Sequence, residues 1–252
     1  MKKKYIHIVI LILIIFVILF IVGISVLRYN VEGETNMPFY LSKISIISSS
    51  EGIDKQVENT KWAFDINQTN DIFLSIDKND KYGKTELINE VEINNIQIEA
   101  NKKDNIKLYK PDNQEEKTIF KHKDENIVES LKYTADVESN LKQLKISNQG
   151  GLVAIRCSNN NIAEYVSNDD EEINHGELLK KANINEEDLK IKMTFDLTIK
   201  LEGGIEYKST ISLDLPVEEI IEKGTTSKEI TDLKDFIFKR ENNTWKIKKN
   251  VV

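Results

Sequence analysis

Residues 191–215 read IKMTFDLTIKLEGGIEYKSTISLDL. Ile191, Met193, Phe195, Leu197, Ile199 and Leu201 are all odd-numbered, and so are Ile205, Tyr207, Ile211, Leu213 and Leu215. Apolar residues at every second place mark a strand with one buried and one wet face. A two-residue turn at Gly203-Gly204 would set odd positions opposite even ones and mix the faces. A three-residue loop, Glu202 to Gly204, sets Leu201 opposite Ile205 and keeps every apolar side chain on one side. Such a loop needs a left-handed residue in last place, which Gly204 supplies. The same register puts Lys200 against Glu206 and Lys192 against Asp214 on the wet face. These opposite charges played no part in choosing the register, so they support it independently.

The rest of the chain reads mainly as strands too. An apolar-rich run from Phe39 to Ile47 follows Pro38. Trp62, Phe64 and Ile66 alternate with polar residues, as do Ile72, Leu74 and Ile76. The polar cluster Asn67 to Asp71 between them reads as a turn, making the pair a hairpin. In 87–99 the apolar phase slips, from Val91 and Ile93 to Ile96 and Ile98, so Asn94-Asn95 must hold a bulge or a turn. Residues 101–126 are charged, contain Pro111 and hold a short strand at Ile106 to Tyr109, and they are the candidate domain boundary. Leu131, Tyr133, Ala135 and Val137 alternate again. After a Gly150-Gly151 turn, Leu152 to Cys157 reads as a buried strand, followed by Ile162 to Val166. A helix is expected at 174–182, with Asn174 as N-cap, Glu177 at capping-box spacing, Ile173 and Leu178 placed as a hydrophobic staple, and Asn183 at its end. Ile184, Asn185, Asp188 and Leu189 repeat the pattern for one more turn. A last hairpin around Asn242-Asn243 would pair Phe238 with Ile247.

The N-terminus differs from all of this. Ile6 to Leu27 is a run of 22 residues without a charge, and His7 is its one strongly polar side chain. About 20 such residues in a helix span a bilayer core. Lys2, Lys3 and Lys4 precede the run and Arg28 alone follows it, a bias that places the N-terminus in the cytoplasm. The run exceeds the 7–15 apolar residues of a cleaved signal peptide, and Gly23 and Ser25 make a poor cleavage site. The expected organisation is therefore a tail (1–5), a transmembrane helix (6–27), a linker (28–37) and an extracytoplasmic antiparallel β-sandwich-like region. That region is one large or two small domains, divided as 38–125 and 126–252.

Charge and composition narrow the partners. The chain of 252 residues carries a net −7. Three lysines and one arginine in the first 28 residues contribute +4, so the exterior carries −11. An acidic exterior argues against nucleic acid, teichoic acid and anionic lipid. Ten glycines and three prolines are too few for a Pro-rich stalk. Cys157 is the single cysteine, so no intramolecular disulfide forms. An exported protein without disulfides, rich in Ile, Lys and Asn, suits a Gram-positive bacterium with an AT-rich genome.

Residues that could carry chemistry are few. Length, anchor, β-rich exterior and one cysteine resemble a sortase-like transpeptidase, with Cys157 as nucleophile and His122, His175 or Arg156 to hold it as thiolate. The sortase signature Thr-Leu-x-Thr-Cys is replaced here by Val153-Ala154-Ile155-Arg156-Cys157, and the arginine a few residues on is missing. The plainer expectation for Cys157 is a small apolar residue in a strand. Asp77, Asn79 and Asp80 begin like a calcium loop, but Tyr82 stands where glycine is needed and no glutamate closes it. The acidic run Asp169 to Glu172 is explained by the helix that follows it. No nucleotide-binding, zinc or serine-nucleophile motif is present, so no catalytic, cofactor-binding or metal residues are assigned.

The anchor, Asn36-Met37-Pro38-Phe39, Asn148-Gln149-Gly150-Gly151, Asn168-Asp169-Asp170 and Leu213-Asp214-Leu215-Pro216 together resemble an uncharacterised family of single-pass membrane proteins of low-GC Gram-positive bacteria. The resemblance implies a location and no activity. The sequence thus predicts a non-catalytic interaction or accessory module at the cell surface. Its partners are the membrane and another surface or membrane protein, with no cofactor, nucleotide or nucleic acid. The polar stretches Asn67 to Asp71 and Ser158 to Asn161 are the expected contact loops.

Overall fold

The structure, a computed structural model, describes residues 11–24, 37–55, 61–102, 105–112, 119–135, 146–168 and 171–241. The chain is mainly β. Its strands are β1 (Phe39–Asp54), β2 (Ala63–Lys78), β3 (Ile88–Ala100), β4 (Ile106–Tyr109), β5 (Leu131–Thr134), β6 (Ile146–Ser147), β7 (Gly150–Val166), β8 (Ile191–Leu201), β9 (Glu206–Asp214), β10 (Thr225–Ile230) and β11 (Lys239–Arg240). They form two antiparallel sheets. One runs β10-β1-β2-β7-β4, with β6 also on β7; the other runs β11-β9-β8-β3-β5.

The inner faces of the two sheets share one apolar core. Ile44 and Ile46 of β1, Ile72, Leu74 and Ile76 of β2, and Val153, Ile155 and Cys157 of β7 face Val91 and Ile93 of β3, Met193, Phe195, Leu197 and Ile199 of β8, and Ile211 and Leu213 of β9. The period-2 pattern at 191–215 is met residue for residue: Lys192 lies opposite Asp214, Phe195 opposite Ile211 and Lys200 opposite Glu206. Gly204 holds φ 78, and Leu201 N–H donates to Ile205 O at 2.9 Å. The expected ion pair with Glu206 gives way to another. Lys200 reaches across to β3, 2.8 Å from both Glu90 and Glu92. The phase slip in β3 is a bulge between Asn94 and Gln97, with Asn95 left-handed at φ 51.

Three local expectations are corrected. Asn67 to Asp71 is no turn: the stretch lies inside β2, one continuous strand of 16 residues whose residues 67–71 pair with Glu51 to Ile47 of β1. Ser158 to Asn161 likewise lies inside β7, where the register slips against β2 and Asn161 is left-handed at φ 52. Asparagine is favoured in turns because its side chain bonds nearby backbone. Here neighbouring strands supply those partners instead. Asn161 N–H donates to Asn67 Oδ1 at 2.8 Å, Ser48 Oγ–H to Asn70 Oδ1 at 2.6 Å, and Asn70 Nδ2–H to Cys157 O at 3.2 Å. The turn expected at Gly150-Gly151 falls earlier, at Asn148 and Gln149. Gly150 (φ 115) starts β7, where a Cβ would lie 2.5 Å from Ile76 O.

A second, smaller core closes one end. Phe64 and Ile66 of β2 pack with Leu178, Leu179, Leu189, Val217 and Ile220. Asn174 caps a 3₁₀ turn, His175–Glu177, that leads into a helical turn at Leu178–Lys181, and Asn183 ends it at φ 54. Asn185 caps the further turn Glu186–Leu189. Within the stretch read as the candidate domain boundary, β4 joins the first sheet, and Tyr109 and Phe120 pack on Ala154 at that sheet's outer face. Strands from 38–125 and from 126–252 occur in both sheets.

Residues 11–24 are helical. No helix among the described residues is long and apolar enough to cross a membrane. Residues 1–10, most of the linker and the Asn242-Asn243 hairpin lie outside the described residues; Lys239 and Arg240 pair with β9.

Candidate functional site

Arg156 stands between two core residues, Ile155 and Cys157, and strand alternation turns it to the outer face of its sheet. An arginine in that place cannot give up its charge, so a partner must meet it. Asp71, directly opposite on β2, supplies a bidentate pair: Nε–H to Oδ1 at 2.6 Å and Nη2–H to Oδ2 at 2.9 Å. Nη1 lies 3.0 Å from His122 Nε2. The guanidinium only donates, so Nε2 accepts and the imidazole is neutral with its proton on Nδ1. Tyr109 stacks on the His122 ring at 4.9 Å, and Phe120 lies under the guanidinium at 5.0 Å. Glu51 Oε2 is 3.5 Å from His122 Nε2.

This cluster fastens residues 106–112 and 119–127 across the sheet. Backbone bonds finish the job: Lys110 N–H to Asn126 O, Val128 N–H to Leu108 O and Asp112 N–H to Ile119 O. Burial lowers the His122 pKa from its ordinary value and Arg156 lowers it further, against the pull of Glu51 and Asp71. Arg156 spends its donors on Asp71 and His122. The arrangement holds the described parts of that segment in place.

Cys157 faces the other way. It is fully buried in the shared core, and burial pushes its thiol up to about 12. His122 lies on the opposite face with Arg156. His175 is exposed and packs edge-on against Phe64 at 5.4 Å, beside the smaller core. His7 lies outside the described residues. The structure therefore separates the Cys157–His122 and Cys157–His175 pairs on which a thiolate nucleophile would depend. Asn79 makes a turn, accepting from Lys81 N–H and donating to Met37 O. Glu171 is engaged by Tyr165, the Asn168 N–H and Lys181. No three His, Cys, Asp or Glu side chains gather as metal ligands among the described residues.

Among the described residues, two grooves stand out on the two-sheet region. One, of about 650 Å³, lies between the ends of β3, β8 and β9 and the turn Glu186–Leu189, with Ile98, Ile191, Leu215 and Val217 among its walls. The other, of about 300 Å³, surrounds the point where the chain enters β1. Asp71 and Glu51 were invisible as members of the Arg156 cluster because the sequence marks Asp71 as turn. The legible signal was a charged residue at an outward strand position between apolar neighbours, which demands a partner. Comparison with protein families, curated proteins and solved structures finds no match for this chain.

Proposed function

We propose that the chain is a single-pass membrane protein of a low-GC Gram-positive bacterium. Residues 6–27 span the bilayer, the N-terminus is inside, and the β-sandwich-like remainder is a non-catalytic interaction module outside. One observation carries the proposal. In the helix at 11–24 every large apolar side chain is exposed, from 47% at Ile24 to 72% at Phe16, with no polar stripe around its circumference. A helix apolar all round needs an apolar surrounding, and the two-sheet region does not provide it. The lysines before the run support the orientation. The absence of an activated thiol supports binding over turnover, and the net −11 of the exterior favours a neutral or cationic protein surface as partner.

The test uses protoplasts of cells making the full chain. Added protease should digest the exterior while the protein stays with the membrane fraction. Protection of the exterior, or its release as a soluble form, overturns the topology. A pull-down from solubilised membranes should then retain a protein partner at low salt. Retention of wall polymer alone, or cleavage of a sorting-type peptide, overturns the module.

A further inference from the structure

Resting on the proposal that residues 6–27 span a bilayer, we infer that the two-sheet region is seated on the outer surface of that same bilayer. The contact is the end at which the chain enters β1. The occupant of the groove there is the lipid interface.

Three observations carry this. The first is reach. Nine residues, 28–36, separate the predicted end of the span from Met37. Fully extended they cover about 30 Å, and less in any real conformation. The second is rigidity at the entry. Pro38 O accepts from Asn79 N–H at 2.8 Å and Met37 O accepts from Asn79 Nδ2–H at 2.9 Å. Met37 is buried, so the tether ends on a fixed point of the fold. The third is the surface around that point. The groove of about 300 Å³ is walled by Met37, Tyr40, Leu41, Leu233, Phe236 and Ile237. Tyr40 is 46% exposed and Ile237 42%.

A rim of mixed character, with Asn79 and Lys234 among the apolar side chains and a tyrosine at its edge, suits the headgroup level of a bilayer, where one end of the ring is in hydrocarbon and the hydroxyl is wet. Charge points the same way. Lys234 on the rim is balanced by Asp232 at 3.5 Å, and the acidic exterior disfavours an anionic polymer there. A second copy is a poor fit, because stable interfaces bury about 1,000 Å² or more and this groove exposes two large apolar side chains.

The experiment places the full chain in vesicles of zwitterionic phosphatidylcholine with a nitroxide near the headgroup. A fluorophore is attached at Lys234→Cys on the groove rim, or at Glu222→Cys in the helical turn Ile220–Lys223 of the smaller core. Cys157 is buried and stays unlabelled in the native protein. Quenching should be several-fold stronger at position 234 than at 222, and Ile237→Asp should reduce it while the protein still floats with the vesicles. Flotation with equal quenching at both positions overturns the seating and leaves the span intact. Failure to float overturns the span and the seating with it. A rim label shielded from aqueous iodide equally in detergent and in vesicles means that another part of the protein fills the groove, and the inference fails.

Discussion

Arg156 and His122 show how much a single proton decides at the residue scale. Neutral His122 accepts from Arg156 and sits under Tyr109; a protonated ring would face the guanidinium as a second donor and turn to Glu51. Its pKa is lowered in the fold, chiefly by burial. The unfolded chain therefore binds the proton first, and the His122 contribution to stability is full above the ordinary value of 6.5 and is lost as pH falls below it. The denaturation midpoint should drop between pH 7.5 and pH 5, and His122→Gln, which keeps an acceptor for Arg156, should flatten that drop. An unchanged pH profile in the variant would discard the link. Phe195 tests the register. It is fully buried whereas Thr194 points to the wet face. Phe195→Ala should cost about 3–5 kcal/mol in a chemical denaturation series, and Thr194→Ala below about 1 kcal/mol. Equal losses would mean that the faces are misassigned.

Among the elements, β2 serves two cores at once. Its even positions run Phe64, Ile66, Gln68, Asn70, Ile72, Leu74 and Ile76, all buried. The first two and the last three are apolar and the middle two are polar, because the strand passes there between the large core and the smaller one. Gln68 Nε2–H donates to Leu189 O at 2.8 Å, and Asn70 links Ser48 to Cys157 O. The polar waist is the reason that 67–71 imitates a turn in sequence: composition reports polarity, and only the neighbours say whether it is met by water or by protein. Asn70→Ala should leave the Ser48 hydroxyl buried without its acceptor and cost about 1–3 kcal/mol. Thr69→Ala, whose hydroxyl bonds Ser49 on the outer side, should cost less. Thr69 is buried too, so a loss at Asn70 no larger than at Thr69 would mean that the Ser48–Asn70 bond adds nothing to stability. The β8–β9 hairpin is the contrary case. Period, glycine and loop length agreed, so it was legible; the turn of Lys200 toward Glu90 and Glu92 was not, since β3 lies a hundred residues away.

At the scale of the molecule, residues 38–125 supply β1, β2 and β4 to one sheet and β3 to the other, and residues 126–252 supply the rest. Among the described residues each buried apolar cluster draws side chains from both stretches. Equilibrium unfolding should be one cooperative transition by near-UV and far-UV signals alike, and neither 38–125 nor 126–252 expressed by itself should give a native near-UV spectrum. A folded half would contradict the shared core. The sequence by itself determined the class of the protein: strand faces repeat every two residues, helix caps are local, and an apolar run is apolar wherever it lies. It also determined that Cys157 has no disulfide partner within the chain. Only the tertiary structure decided that Ile44 lies beside Ile230, that Arg156 meets Asp71 and His122, and that the asparagines at 67, 70 and 161 are structural. Those contacts join residues far apart in the chain, and nothing in a residue's near neighbours records which distant strand will lie against it.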